Sequence, residues 1–154
     1  MSITQQCRTN TVASFSLHLS TFRSVVSSVE TYNPQSLGPA IMPYSNAAVA
    51  NGFIFVAGQV ALDPEARVVA PGDPYEQTKY TLERVKTILA EKGATLNDIA
   101  STTVYITDLA HLPRYNEAWS EVFPDHRPAR ATLVAGLLIE GLVVEITAIA
   151  ALPA

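Results

Sequence analysis

The sequence predicts an α+β fold, with two helices on one face of a mixed sheet of about six strands. Three observations carry this expectation. Short segments rich in β-branched and aromatic residues, bounded by Gly, Pro, Asn or Asp, read as strands. Two longer segments repeat apolar residues at helical spacing and open on capping residues. Their order along the chain, β-β-β-α-β-α-β-β, sets the helices against a sheet.

The elements follow in order. Asn33 to Pro43 is a loop by its prolines and glycine. Tyr44–Ala50 leads into a first strand, and Asn51-Gly52 is a strong hairpin signal. Phe53–Ala57 is the second strand, followed by Gly58-Gln59; a glycine there marks either a bulge or a close approach to a ligand or another chain. Residues 62–66 form a turn and Arg67–Ala70 a short third strand. Asp73 as N-cap, Pro74 at N1 and Glu76 at N3 open the first helix, with Thr78, Leu82, Val85 and Leu89 on its packed face and Gly93 as its stop. Ile99–Thr107 alternates as a strand. The second helix begins at Asp108, carries Pro113 in its first turn, packs Tyr115, Trp119 and Val122 or Phe123, and ends at Pro124.

The last two strands, 130–135 and 142–150, are almost wholly apolar, and each carries one charge, Arg130 and Glu145. A charge in a strand that otherwise wants burial is costly unless it is paired or used. A tight hairpin turning near Leu137-Leu138 would set the two opposite each other on one face. They then form either a structural ion pair or a pocket holding a carboxylate-binding cation and a proton-moving carboxylate. Runs as apolar as Leu142–Ala150 want cover on both sides of the sheet, and with no third layer left in the chain a second subunit supplies it most simply.

Composition narrows the function. A chain of 154 residues is one domain, and 48% hydrophobic with 16% charged residues fits a compact protein prone to association. The net charge of −4, without Lys/Arg clusters, argues against nucleic-acid binding. No apolar run reaches membrane-spanning length. The single cysteine, Cys7, allows no intrachain disulfide, and His18, His111 and His126 lack ligand spacing, so no structural metal is expected. Residues 1–29 stand apart from a domain at 30–154. They are Ser/Thr-rich, carry Arg8 and Arg23 and hold no acid. That fits a mitochondrial or plastid transit peptide, and equally an ordinary extension or an upstream start; without targeting, the expected location is the cytoplasm.

Several motifs in one order resemble the RidA/YjgF family of enamine and imine deaminases, from about Glu30 to the end: Gly38-Pro-Ala-Ile-Met-Pro-Tyr44-Ser-Asn-Ala47, Phe55-Val-Ala-Gly-Gln59, Glu76-Gln-Thr78, Thr103-Val-Tyr-Ile-Thr-Asp108, Tyr115-Asn-Glu117, Pro128-Ala-Arg130 and Val144-Glu-Ile146. The resemblance implies a chorismate-mutase-like domain, a homotrimer with pockets at the subunit clefts, and no cofactor. It implies that Arg130 grips a substrate carboxylate through its planar two-pronged donors, that Glu145 positions water and moves a proton, and that Tyr44, Gly58 and Asn116 line the pocket. Asn116 has the plainer alternative of capping or bridging the second helix. Ala57 stands where many members have Ser, and Thr132 where many have Cys, both against the ligand. Ala-Ile-Met before Pro43-Tyr44 stretches the glycine-proline motif. The implied reaction is hydrolysis of a 2-aminoacrylate-type enamine, or its imine, to a 2-oxo acid and ammonia. Two alternatives stay open: a specialised member acting on a larger enamine, such as an aminomuconate-type or biosynthetic-pathway enzyme, and a non-catalytic trimer that binds a small carboxylate or a protein partner.

Overall fold

Hydrogen bonding joins six strands into one mixed sheet and sets two helices against it. The computed structural model describes residues 28–38 and 42–153, so most of the 1–29 extension, with its targeting reading, lies outside the described residues. The elements are β1 (Glu30–Tyr32), β2 (Ala47–Ala50), β3 (Phe53–Val60), α1 (Pro74–Ala90), β4 (Ile99–Ile106), α2 (Leu112–Val122), β5 (Ala129–Val134) and β6 (Val144–Ala151). The sheet order is β1-β2-β3-β6-β4-β5.

Local chemistry explains the boundaries. Asn51 and Gly52 adopt φ of 50° and 78°, the paired positive values of a two-residue hairpin turn, and join β2 to β3 with Ala50 opposite Phe53. Asp73 caps α1, its Oδ1 accepting from the Tyr75 and Glu76 amides at 2.9 and 3.1 Å. Helix α2 starts after a short 3-10 turn at Leu109–His111, with Pro113 in its first turn. One core holds Leu82, Val85, Ile88 and Leu89 of α1 against Ile54, Val104, Ile146 and Ala148 of the sheet, with Tyr115 and Trp119 of α2 beside them.

Two expectations change. The segment 67–70 is not a ladder strand; it contributes a single bridge, Leu62 to Val68. Ala66 and Ala70 bracket it with φ of 61° and 46°, which no extended strand tolerates. The three strands before α1 include Glu30–Tyr32 instead, which pairs antiparallel with β2.

The final two strands also do not form a hairpin. Strand β4 lies between them, parallel to β5 and antiparallel to β6. A parallel neighbour needs a crossover, and α2 supplies it between β4 and β5. Strand β6, whose residues 144, 146, 148 and 150 are all buried, takes the central position next to β3, while the largely exposed β5 takes the edge. Residues 135–143 are therefore a long connection rather than a tight turn. Gln77, fully buried on α1, holds that connection: Nε2 donates to the Ala70 and Gly141 carbonyls at 3.0 and 2.8 Å, and Oε1 accepts from the Val143 amide at 2.8 Å.

Strand alternation then sorts the faces. Thr102, Val104 and Ile106 of β4 are buried toward the helices, as are Val144, Ile146 and Ala148 of β6. Thr103, Tyr105, Glu145, Thr147 and Ile149 lie on the other face, where Phe53, Phe55 and Ile149 remain 44%, 43% and 38% exposed. No helix among the described residues is long and apolar enough to cross a membrane.

Candidate active site

The new topology splits the predicted site. Arg130 registers with Thr102, so its side chain lies on the helix side. Glu145 registers with Tyr105 and lies on the open face. The expected pairing of Arg130 opposite Glu145 on one face is therefore incorrect, because β4 is inserted between their strands. Among the described residues neither makes an ion pair, which removes the static pair as an account of the two charges.

On the open face the structure brings together Glu145, Gly58, Ala57 and Tyr44. They line a cleft of about 290 Å³ whose remaining wall is mostly apolar, including Leu62, Leu138 and Leu142. The β3–β6 ladder shifts register between Val56 and Gln59, and this bulge carries Ala57 and Gly58 out of the regular pairing. Gly58 has an ordinary backbone angle, so its reason is space. A Cβ built there would fall inside the Glu145 carboxylate, with Oε1 as its nearest atom. Of the sequence readings of Gly58, the bulge is the one observed, and the close neighbour is the chain's own Glu145 side chain. Burial pushes the Glu145 carboxyl above its ordinary value, and no cation or hydrogen-bond donor among the described residues offsets it. It is a half-buried acid in an apolar cleft.

On the helix side sit Arg130, Asn116 and Thr132. Arg130 Nη2 donates to Asn116 Oδ1 at 2.9 Å, and the guanidinium carbon lies 5.1 Å and 5.0 Å from the ring centres of Tyr115 and Trp119. These contacts orient the cation without neutralising it. Of the two readings of Asn116, the bridge from α2 is the contact observed, and what it bridges to is the arginine. Thr132 registers with Val104 and faces α2. Its buried hydroxyl lies beside that of Tyr115, and neither has a hydrogen bond of good geometry. Burial outweighs the nearby Arg130 charge and raises the Tyr115 hydroxyl pKa.

Sequence reasoning missed three contributors. Tyr115 and Trp119 were legible only as the packed side of a helix, though their four-residue spacing around Asn116 is the signal for a platform. Leu138, read as the tip of a hairpin, is cleft wall.

Fold and site define a class: a six-stranded α+β domain with an uncompensated acid in a cleft on one sheet face and a caged, unpaired arginine on the other. Residues 35–152 match the sequence model of the endoribonuclease L-PSP family. A RutC family protein of Pyrococcus abyssi is 44% identical over 110 residues, covering 71% of this chain and 87% of that one. The 3-aminoacrylate deaminase RutC of Acinetobacter baylyi is 34% identical over 117 residues, covering 76% and 93%. Among solved structures, the Rid family protein YyfA of Yersinia pestis superposes with a TM-score of 0.75 at 29% identity, over 80% of this chain and 99% of that one. The chain belongs to the endoribonuclease L-PSP family, the group that includes RidA, YjgF and RutC.

Proposed function

We propose that this protein hydrolyses small reactive enamines and imines of the 2-aminoacrylate type to 2-oxo acids and ammonia, at sites shared between subunits of a homotrimer. The observation that carries the reading is the state of Glu145: desolvated, without a counter-ion, and seated on the only residue type that leaves it room. Arg130 supports it as a cation whose protein contacts, an amide and two rings, leave its charge free for a carboxylate. The relative named as a 3-aminoacrylate deaminase fits the same chemistry.

Arg130 and Glu145 lie on opposite faces of one chain, so the reading pairs Arg130 of one subunit with the cleft of the next. The open face, with its exposed Phe53, Phe55 and Ile149, gives a neighbour an apolar surface to cover. The steps balance without a cofactor. A proton adds to the enamine carbon and gives an iminium. Water adds to the iminium carbon and yields its proton to Glu145. That proton returns to the nitrogen, the C–N bond breaks as the new hydroxyl gives its proton back to Glu145, which balances the proton spent on carbon, and ammonia leaves a 2-oxo acid. A carboxyl whose hold on its proton is strengthened by burial can take a proton and give it back. Orientation and charge complementarity do most of the work, because the substrate is already electrophilic.

A larger enamine is the second reading. It is favoured by the mostly apolar wall of the cleft and by Ala57, which offers no hydroxyl there. Nuclease chemistry draws no support from the charges. Among the described residues, Arg67, Lys79, Lys86, Lys92 and Arg114 are each tied to a carboxylate and form no continuous positive stripe. The test is the rate of loss of freshly generated 2-iminopropionate and 2-iminobutyrate. Acceleration that Arg130→Ala and Glu145→Gln both abolish supports the reading; equal rates in the unmodified protein, the variants and buffer sink it.

A further inference from the structure

One more cation in the described residues lacks a carboxylate partner and is drawn into the protein. Arg84 lies on α1, half-buried, facing the 61–66 turn. Its Nη1 donates to the Leu62 carbonyl at 2.7 Å, and its Nε–H is buried without an acceptor. A desolvated guanidinium with an idle donor is costly unless it has a use. Asp63 stands nearby but is not its counter-ion. Asp63 Oδ2 accepts from Arg67 Nε at 2.7 Å, and Oδ1 from the Arg67 and Glu65 amides at 2.8 and 3.1 Å.

Arg84 lines a separate small cavity of about 40 Å³ with Asn46, Gln59 and Asp63 among its neighbours. On this measure one water needs roughly 10–15 Å³, so the space suits a group of about three heavy atoms, the size of a carboxylate. The cavity adjoins the Glu145 cleft, for Tyr44, Gly58, Val60 and Leu62 form walls of both. A molecule reacting at Glu145 therefore has an anion-sized recess next to it with an unpaired arginine on its wall.

We propose that Arg84 is a specificity-determining residue that binds a second carboxylate, so that the preferred substrates are imines or enamines of dicarboxylic 2-oxo acids. The inference rests on the deaminase reading and refines it. Arg130 holds the carboxylate beside the imine carbon, Glu145 serves that carbon, and Arg84 receives the distal carboxylate. The guanidinium stays charged across the working pH range and offers paired donors to a planar anion.

The experiment compares 2-iminoglutarate with 2-iminobutyrate, each released in situ by an amino-acid oxidase, using the full chain and its Arg84→Gln and Arg84→Lys variants. The expected result is a fall of about 10- to 100-fold in the ratio of kcat/KM for the dicarboxylic over the monocarboxylic imine in Arg84→Gln, the loss of one charge-assisted contact, with partial recovery in Arg84→Lys. An unchanged ratio, or equal losses on both imines, overturns the proposal. If the unmodified protein turns over neither imine, the deaminase reading falls, and calorimetry with glutarate and butyrate decides the site by itself. A preference of the unmodified protein for glutarate that Arg84→Gln removes supports it; equal binding overturns it. Should Arg84→Gln fail to fold, the glutarate preference of the unmodified protein is the deciding measurement, and its absence overturns the proposal.

Discussion

Mixing two inactive variants gives the sharpest check on how the site is built. Arg130 and Glu145 register with Thr102 and Tyr105, three residues apart on β4, and their strands lie on either side of it. At about 3.3 Å per residue and about 4.8 Å per strand, their Cα atoms are about 14 Å apart, with side chains on opposite faces. A substrate of three or four carbons cannot touch both within one chain. Arg130→Ala and Glu145→Gln should each lose roughly 100-fold or more, from a charge-assisted anchor and from proton transfer. In trimers formed at random from equal amounts of the two, a site is intact when the Glu145→Gln chain gives its arginine and the Arg130→Ala chain gives its glutamate. That is about one interface in four for a closed ring. The assay is imine loss after co-expression with two affinity tags and recovery of doubly tagged oligomers. Recovery of doubly tagged oligomers removes the homotrimers and leaves one intact site in each mixed trimer, so activity near a third of the unmodified protein's confirms a shared site. Activity no higher than that of the single variants refutes the reasoning, since the two groups would then not act together across a boundary.

Three further expectations can be checked on the same material. Gly58→Ala places a methyl where the Glu145 carboxylate sits; it should lower kcat at least about tenfold by displacing the acid while melting within a few degrees of the parent, and unchanged turnover would contradict the packing account. Burial raises the Glu145 carboxyl, so the fold binds that proton more tightly than the unfolded chain does. The stability this supplies is fully present below the ordinary carboxylate value and is lost as pH rises through the raised one; Glu145→Gln should thus raise Tm relative to the parent at pH 7 but not at pH 4, and a constant difference across that range would refute it. Asn116→Ala frees Arg130 from its 2.9 Å hydrogen bond; a rise of about 5- to 10-fold in KM, with a smaller change in kcat, is the outcome to look for in steady-state kinetics.

Local signals were read well where one stretch of chain decides the outcome. Asp73-Pro74 announces α1, Asn51-Gly52 fixes the β2–β3 hairpin, and Pro113 and Pro124 frame α2. What failed was non-local. Arg130 and Glu145 stood out as the lone charges of their strands, yet their register depended on which strand would enter between β5 and β6, and no spacing in residues 130–150 encodes β4. The same blindness hid the cleft wall at Leu138, because a loop held from α1 by Gln77 looks in sequence like a hairpin tip. The false strand at 67–70 has the opposite cause: Val68 and Val69 have strand propensity, but the left-handed angles at Ala66 and Ala70 appear only once the turn closes. Tyr44, Ala57, Gly58 and Glu145 lie together, as do Arg130, Asn116 and Thr132, and the separation of the two groups was not legible.

The buried Gln77 gives the cleft a place in the order of folding. Its bonds to Gly141 and Val143 span 64 and 66 residues. Closing so long a loop costs entropy before any contact is gained, so the connection that walls the cleft locks only once β6 has docked against α1. The cleft wall is therefore among the last parts to form and, by the same hydrogen bonds, opens with the central strand rather than ahead of it. Amide exchange at Val143 should follow that of Ile146 in the intact protein and become much faster than it in Gln77→Ala. Protection at Val143 that survives the substitution would mean the wall holds itself.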